Sequence, residues 1–273
     1  SEENKRITTM QVKFHRFILP EFNTHRVFSR NFSSSRAIPT NKLIEQIRND
    51  PAMPVHWGKN QAGMQAEVEL EGEDLARAQR EWRIAAYIAA DTAELFAKTG
   101  VHKQLVNRIL EPFMWVTGIV TSTEWDNFFE LRAHPDAQPE IQEIAIKMSD
   151  ARNASTPKLL TADEWHLPYI SEAERNDQFF KLEANKCMLL KISTARCCRV
   201  SYLKHDGSAP NIQEDLALYE RLAGAVPIHA SPAEHQATPD TSYYGEWDNP
   251  KGHGNFIGWM QHRKIIEETL RLG

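Results

Sequence analysis

The sequence predicts an α+β fold in which helix outweighs strand. Met10, Val12 and Phe14 alternate with Gln11, Lys13 and His15, the period-two pattern of a half-buried strand. Glu73–Lys98, by contrast, contains no Gly or Pro and sets Trp82, Ala85, Ala86, Ala89 and Leu95 near helical spacing. Most other periodic stretches read as helix as well, and no internal repeat or low-complexity tract is present.

In chain order, the polar and charged Ser1–Thr9 is expected to be a disordered leader, and the strand that follows runs toward Pro20. Pro39 and Thr40 open an amphipathic helix with Leu43, Ile44 and Ile47 on one face, closed by Asn49, Asp50 and Pro51. The segment P-V-H-W-G-K-N-Q-A-G-M-Q is expected to be a loop, and Gly100 stops the long helix after it. Further helices are expected over Val101–Leu110, Thr123–Ala133 and Glu140–Ala151, with Pro112, Pro135 and Pro139 as punctuation. Asn153–Asp177 reads as a connecting loop and the best candidate boundary. Leu182–Tyr202 reads as a helix passing into an extended segment, Asn211–Ala223 as a helix, and Phe256–Leu272 as a terminal helix.

Composition narrows the functional class. With 41% hydrophobic and 25% charged residues over 273, the chain can bury a sizeable core. It contains no apolar run near the ~20 residues of a membrane span and no signal-peptide pattern at its start. The three cysteines, Cys187, Cys197 and Cys198, are odd in number with two adjacent, which argues against a disulfide framework and for a reducing, cytoplasmic compartment. A pI near 6.1 without a polybasic tail argues against long nucleic acid as a partner.

Against a formal charge of −5 for the whole chain, Val12–Arg36 carries Lys13, Arg16, Arg26, Arg30 and Arg36 and one acid, Glu21. Its core, T-H-R-V-F-S-R-N-F-S-S-S-R from Thr24 to Arg36, has the chemistry of an anion cradle. Guanidinium groups fork onto phosphate oxygens, and serine hydroxyls and backbone N–H groups fill the remaining acceptor positions. A solvated basic loop is the alternative. The H-A-S-P-A-E-H segment holding His229, Ser231, Glu234 and His235 reads as metal ligands, as an acid/base pair, or as a helix start capped by Ser231 with Pro232 next. The last is favoured, because zinc spacings such as H-E-x-x-H are absent. Arg108 and Arg132 beside apolar runs read as snorkelling or carboxylate-paired as readily as ligand-binding. Cys197 and Cys198 between Arg196 and Arg199 read as an activated thiol or as buried structural cysteine. No P-loop, G-x-G-x-x-G or G-x-S-x-G elbow is found.

H-R-V-F-S-R-N-F-S-S-S-R resembles the signature of the flavin-dependent thymidylate synthases (the ThyX family), an R-H-R followed by a serine, an asparagine and a serine close to an arginine. R-I-L-E-P (Arg108–Pro112), W-D-N-F-F-E-L-R-A (Trp125–Ala133) and A-Q-P-E-I-Q (Ala137–Gln142) resemble that family's helical half in its order. C-C-R-V-S-Y (Cys197–Tyr202) and Val226–Pro239 resemble two further segments, which here follow the arginine signature instead of preceding it, as in a circular permutant.

The resemblance implies a ThyX-like helix-rich fold with a small antiparallel sheet, one catalytic domain over residues 10–273, and the 153–177 loop as its candidate internal boundary. It implies reductive methylation of dUMP to dTMP with FAD as cofactor and NADPH and methylenetetrahydrofolate as co-substrates. A homotetramer with sites between subunits is implied as well. It places His25, Arg26, Asn31, Asn127, Ser201 and Ser231 at flavin positions, and Glu21, Ser34, Ser35, Arg36, Arg108 and Arg132 at the deoxyribonucleotide monophosphate. Arg132, facing the pyrimidine, and His229, beside the flavin and folate, are the implied catalytic residues. The cysteines are expected to be dispensable as nucleophiles. Three departures bear on substrate identity: Thr24 stands for the first arginine of R-H-R, Phe32 for a usual glutamate and Glu21 for a usual glutamine. A sibling enzyme acting on dCMP or adding hydroxymethyl is therefore the nearest alternative, and a non-catalytic nucleotide- or RNA-binding protein the alternative from another class.

Overall fold

The computed structural model describes residues 6–162, 164–201, 204, 207–225 and 227–272. The chain opens with β1 (Thr8–His15), a short helix α1 (Leu19–Phe22) and β2 (Ser29–Phe32), followed by α2 (Thr40–Asn49) and the long α3 (Gly72–Lys98). Next come α4 (Lys103–Val106), β3 (Trp115–Ser122), α5 (Asp126–Arg132) and α6 (Pro139–Ala154). The remainder contains α7 (Glu172–Asn176), α8 (Gln178–Lys181), α9 (Lys186–Arg199), α10 (Ile212–Ala223), β4 (Ala237–Pro239), β5 (Ser242–Tyr243), β6 (Glu246–Trp247), β7 (Trp259–Gln261) and α11 (His262–Leu272). This is the α+β class: helix predominates around small antiparallel sheets.

β3 is the centre of the main sheet, with order β1-β3-β2 and both neighbours antiparallel; Val12 and Phe32 both pair with Gly118. The sequence reading missed this strand. Val116 and Gly118–Ser122 are buried, so W-V-T-G-I-V-T-S lacks the alternation that exposed β1. Gly118 is required by packing: a Cβ there would lie 2.0 Å from a Phe32 ring carbon. One face of the sheet carries an aromatic core in which Phe14 stacks on Phe22 at 5.1 Å and Phe28 meets Trp125 at 4.8 Å, with Phe128, Ile141 and Met148 closing it. A second core sets Leu43, Ile44 and Ile47 of α2 against Ala86, Ala89, Ala90 and Ala93 of α3, whose small side chains admit close helix approach.

Several boundaries differ from the sequence reading. Thr8 and Thr9 pair with Ser122 and Thr121, so the expected leader is in part the first strand; residues 1–5 lie outside the described set. Val101–Leu110 keeps only α4 as α-helix, because Asn107–Leu110 folds into tight turns around the Asn107 amide. α5 starts at Asp126 rather than Thr123, since the Ser122 hydroxyl accepts from the Glu124 N–H and turns the chain first. The expected loop 153–177 contains α7, started by a capping box between Ser171 and Glu174. α9 ends at Val200 in the left-handed region (φ 55°) rather than passing into an extended stretch; Tyr202 lies outside the described residues. The expected terminal helix begins with β7, which pairs with β4, and becomes helical only from His262.

The later part of the chain is tied to the main sheet. Cys197 of α9 and Val200, which caps it, pack on Ile119 of β3. Buried Arg196 donates to Glu174 (2.7 Å) and to Asp215 (3.1 Å), and Arg199 also pairs with Asp215, which locks α9, α7 and α10 together. Each of these charges has a partner, as burial requires.

Candidate functional site

The arginine–serine segment runs from the end of α1 through β2 into the turn before α2, and its three arginines do different work. Arg30 is spent on the backbone: its guanidinium donates to Asn23 Oδ1 (2.8 Å) and to the carbonyls of Asn23, His25 and Phe28 (3.0–3.1 Å). Burial lowers its pKa, against the opposing pull of Glu234. Arg26 and Arg36 are exposed, with no hydrogen bond or ion pair of their own among the described residues. Composition cannot separate a strut from a free cation, because the difference lies in carbonyls that only the fold brings within reach.

Ser34 is exposed beside Arg36, but Ser35 is buried, and its hydroxyl donates to Glu111 Oε1 at 2.6 Å. The same carboxylate oxygen accepts from Arg108 (2.8 Å) and lies 3.2 Å from Arg16. The Asn107 amide holds the turn by donating to the carbonyls of Ser35 (2.7 Å) and Ile38 (3.0 Å). Burial alone would raise the Glu111 pKa, but the Ser35 hydrogen bond and the charges of Arg16 and Arg108 outweigh it and hold the carboxyl below its ordinary value. Ser35 and Arg108, predicted as direct ligands, are therefore brought together through Glu111. Sequence reasoning missed Glu111, although R-I-L-E-P sets it three residues after Arg108, on the same helical side.

A second cluster forms where α5 meets the turn after α1. Arg132 Nε donates to His25 Nε2 at 2.9 Å, and its terminal nitrogen reaches Thr24 Oγ1 at 3.3 Å; Thr24 Oγ1 in turn donates to the Glu21 carbonyl at 2.7 Å. His25 is buried edge-on to Phe128 at 4.9 Å. Burial first, then the charges of Arg132 and Arg30, push its pKa down to about 4, so the ring is neutral near pH 7 and its Nε2 is an acceptor. Glu21 Oε2 is buried without a hydrogen-bond partner among the described residues, an unsatisfied acceptor beside this cluster. Asn127 is exposed one turn earlier on α5.

The distant pieces converge only in part. Asn31 Nδ2 donates to the Cys197 carbonyl at 3.2 Å, tying β2 to α9, and Ser201 follows directly on the left-handed Val200. Ser231–Glu234 forms a 3-10 turn packed against β2 and α9; Ser231 makes no side-chain cap, contrary to the helix-start reading. His229 exposes its side chain, with its N–H on the Leu222 carbonyl at 3.1 Å. His235, weighed from the sequence as a metal ligand or acid/base partner but not given a role by the resemblance, is the one built into the interior. His235 Nδ1 meets Thr121 Oγ1 (2.8 Å), which meets Thr9 Oγ1 (2.7 Å), which meets His166 Nε2 (2.7 Å). Burial pushes His235 down to about 3 and His166 down to about 4. Burial raises the thiols of Cys197 and Cys198, the direction opposite to that of an activated nucleophile.

Arg26 faces the far end of the chain. With Phe28, Arg30, Glu234, Arg263 and Lys264 it lines an open cleft of about 500 Å³. Of its C-terminal residues only Glu234 was singled out from the sequence, within H-A-S-P-A-E-H; Arg263 and Lys264 were not, because R-K at the start of a terminal helix is an ordinary solvated pattern.

The fold and these groups define an α+β protein with cationic surfaces gathered around one arginine–serine loop. Residues 6–158 match the family model described as "Thymidylate synthase complementing protein", and the chain belongs to that family. The match includes the arginine–serine loop, Arg108–Pro112 and Trp125–Ala133, and ends before α9 and the Ser231 turn. Among solved structures, the chain is similar to the UMP/dUMP methylase PolB from Streptomyces cacaoi bound with 5-Br UMP (20% identity, TM-score 0.44, 54% of this chain and 67% of that one). It is also similar to the flavin-dependent thymidylate synthase ThyX from Helicobacter pylori complexed with FAD and dUMP (18% identity, TM-score 0.37, 53% and 67%). No curated protein matches the chain.

Proposed function

We propose that the protein methylates C5 of a pyrimidine deoxynucleotide, converting dUMP to dTMP with methylenetetrahydrofolate as carbon donor, FAD as cofactor and NADPH as reductant. The observation that carries the reading is the family match across residues 6–158, with the arginine–serine loop inside it. The residues present fit a flavin dinucleotide: the free cation of Arg26 and the polar Asn255 and Gln261 line one open cleft, to which the Ser231–Glu234 turn contributes Glu234. FAD, when bound, supplies the hydride that completes the methyl group.

The protein's own part is binding and placement. Arg36, Ser34 and Arg108 bind the nucleotide phosphate, with Ser35 and Glu111 fixing the turn that carries them. Arg132, held by His25, faces the pyrimidine and stabilises negative charge on the ring. Neutral His25 keeps that guanidinium oriented without competing for its charge. Glu21, whose buried Oε2 is left unsatisfied, has an acceptor for a donor on the base once that oxygen is uncovered. Arg26, Asn31, Asn127, Ser201 and Ser231 serve the flavin, and His229 the folate side. The packing of the Ser231 turn on β2 supports a permuted arrangement of one catalytic domain, joined through the 153–177 connection. Assembly of a cytoplasmic homotetramer, with sites between copies, would bring the Arg36 and Arg132 groups of different chains together.

A second reading, dCMP or a hydroxymethyl product, is favoured by one observation. Phe32 lies in the aromatic core against Phe14 and Phe22, so the position where the family usually has glutamate offers no polar group, while Glu21 supplies a carboxylate where an amide is usual. The test of the flavin reading is release of FAD from the purified protein on denaturation. A colourless protein that takes up no added FAD would overturn it.

A further inference from the structure

β1 is an outer strand of the main sheet and pairs only with β3 among the described residues, so its other backbone edge meets no strand. Every residue from Thr8 to Lys13 lines a groove of about 390 Å³. Successive side chains of a strand point to opposite faces, so an unbroken run of lining residues means that the groove follows the strand's edge. α6 forms the other wall. Met10 and Val12 pack with Ile144 and Met148 there, which gives the groove an apolar floor.

A lysine on such an edge is a common guard against chance strand pairing. Lys13 fits that role at one end, since it rests over Trp115 (5.1 Å) and lies 3.8 Å from Asp50. Lys147 is likewise paired, with Glu143. The end at the close of α6 is different. Arg6 donates to the carbonyl (3.0 Å) and hydroxyl (2.6 Å) of Ser155, which caps α6, and Arg152 lies in the last turn of that helix. The two guanidiniums are close enough that the charge of Arg152 adds to burial in lowering the Arg6 pKa. A helix C-terminus favours cations. It does not explain why neither arginine has a carboxylate partner among the described residues. Arg152 Nε and Thr8 Oγ1, from two residues that line the groove, are also buried without a hydrogen-bond partner among the described residues. Both atoms can donate, so an acceptor laid in the groove satisfies them. Three cations line it, Lys13, Lys147 and Arg152, and no acid does among the described residues.

We infer that this groove binds an extended acidic peptide, which adds to β1 as a further strand, sets an aliphatic side chain on the apolar floor and places its carboxylates at Arg6 and Arg152. Main-chain bonds to the open edge supply affinity, and the cations select the sequence. A second copy of β1 is the poorer occupant, because the one charge in T-T-M-Q-V-K is another lysine. The groove shares no residue with the Arg26 cleft, the Glu111 turn or the His25–Arg132 cluster. The inference therefore goes beyond the proposed methylation and stands without it.

The test titrates the full chain with a fluorescent E-E-T-I-V-T-E-E peptide, with K-K-T-I-V-T-K-K, and with the acidic peptide N-methylated on one or the other alternate set of backbone nitrogens. Hydrogen exchange over Thr8–His15 and sedimentation are measured in parallel. We expect the acidic peptide to bind and to slow exchange in β1, and the basic one to do neither. One methylated set should bind at least tenfold more weakly than the other, because only one row of peptide N–H groups faces the edge. Arg152→Gln should weaken the acidic peptide by about tenfold, the loss of one charge-assisted contact. Lys147→Gln, at a mostly exposed side chain, should weaken it severalfold with the unfolding midpoint unchanged, which keeps the test valid if Arg152→Gln folds poorly. Equal binding of acidic and basic peptides, or of both methylated forms and their parent, would overturn the inference. So would a peptide-free protein that self-associates with all of β1 protected, since a second copy then covers the edge, or an acidic peptide that does not bind at millimolar concentration.

Discussion

At the scale of single residues, the sharpest contrast is between Ser35 and Arg36, adjacent in sequence and opposite in role. Ser35 is buried on Glu111, whereas Arg36 is exposed and unpaired among the described residues. Arg36→Ala should therefore weaken dUMP binding by about 1.5–3 kcal/mol in calorimetry and leave the unfolding midpoint unchanged. Ser35→Ala should do the reverse, costing about 0.5–1.5 kcal/mol of stability for one lost hydrogen bond. An Arg36→Ala protein that binds dUMP as the wild type does would remove Arg36 from the phosphate site. His25 gives a second residue-scale prediction. Its ring should stay neutral in an NMR titration until the pH nears about 4. Arg132→Gln should raise that value only part of the way to 6.5, because burial outranks the Arg132 charge among the causes. A wild-type His25 titrating near 6.5 would show that the ring is not buried against Phe128 as described. The types of residue at these positions were legible in the sequence. Their partners were not: Arg30 reads like Arg26 until the carbonyls of His25 and Phe28 surround it.

Among elements, legibility followed solvent exposure. α3 was read nearly to its ends because an unbroken helical period faces water on one side and α2 on the other. β3 was missed because burial on both faces removes the alternation that identifies a strand, and Pro112 and Gly118 look like loop punctuation. Gly118 turns this into a test. An added methyl would meet the Phe32 ring at 2.0 Å, so Gly118→Ala should destabilise by about 1–3 kcal/mol through overpacking between β2 and β3. Denaturant midpoints measure it, and Phe32→Leu in the Gly118→Ala background should recover part of the loss. An unchanged midpoint for Gly118→Ala would mean that β2 does not lie on β3 in the register described. The Ser231 turn shows the opposite failure: its sequence fits a capped helix start, but Pro232 and Ala233 are buried, and the chain takes one 3-10 turn before Gln236 and Ala237 join β4 and its surroundings.

For the whole molecule, four histidines, the buried His25, His235 and His262 and the half-buried His166, are held neutral, with pKa values pushed down to about 4, 3, 4 and 4 respectively. Folded values below the unfolded 6.5 mean that the unfolded chain binds more protons as the pH falls through the window from about 6.5 to 4. Stability should accordingly be full above pH 6.5 and fall as acid is added, by up to about 1.4 kcal/mol per unit of pH for each histidine involved. Denaturation midpoints across pH 7.5 to 4.5 test this, and a flat profile would contradict it. The overall class and the family were readable because composition, periodicity and the arginine–serine motif are local. What joins the C-terminal segments to that motif is not local: the Asn255 and Gln261 hydrogen bonds to Val27 and Ser29 and the His235–Thr121–Thr9–His166 chain exist only once strands from both ends of the chain meet.

The central claim is that these parts serve methylation of a pyrimidine deoxynucleotide. Its most direct test is mass spectrometry of dUMP incubated with the protein, FAD, NADPH and methylenetetrahydrofolate labelled at the methylene carbon. The account predicts dTMP carrying the label in its new methyl group, lost when either FAD or the folate is omitted. Unlabelled, unchanged dUMP and dCMP in parallel reactions of a folded, FAD-loaded protein would contradict it.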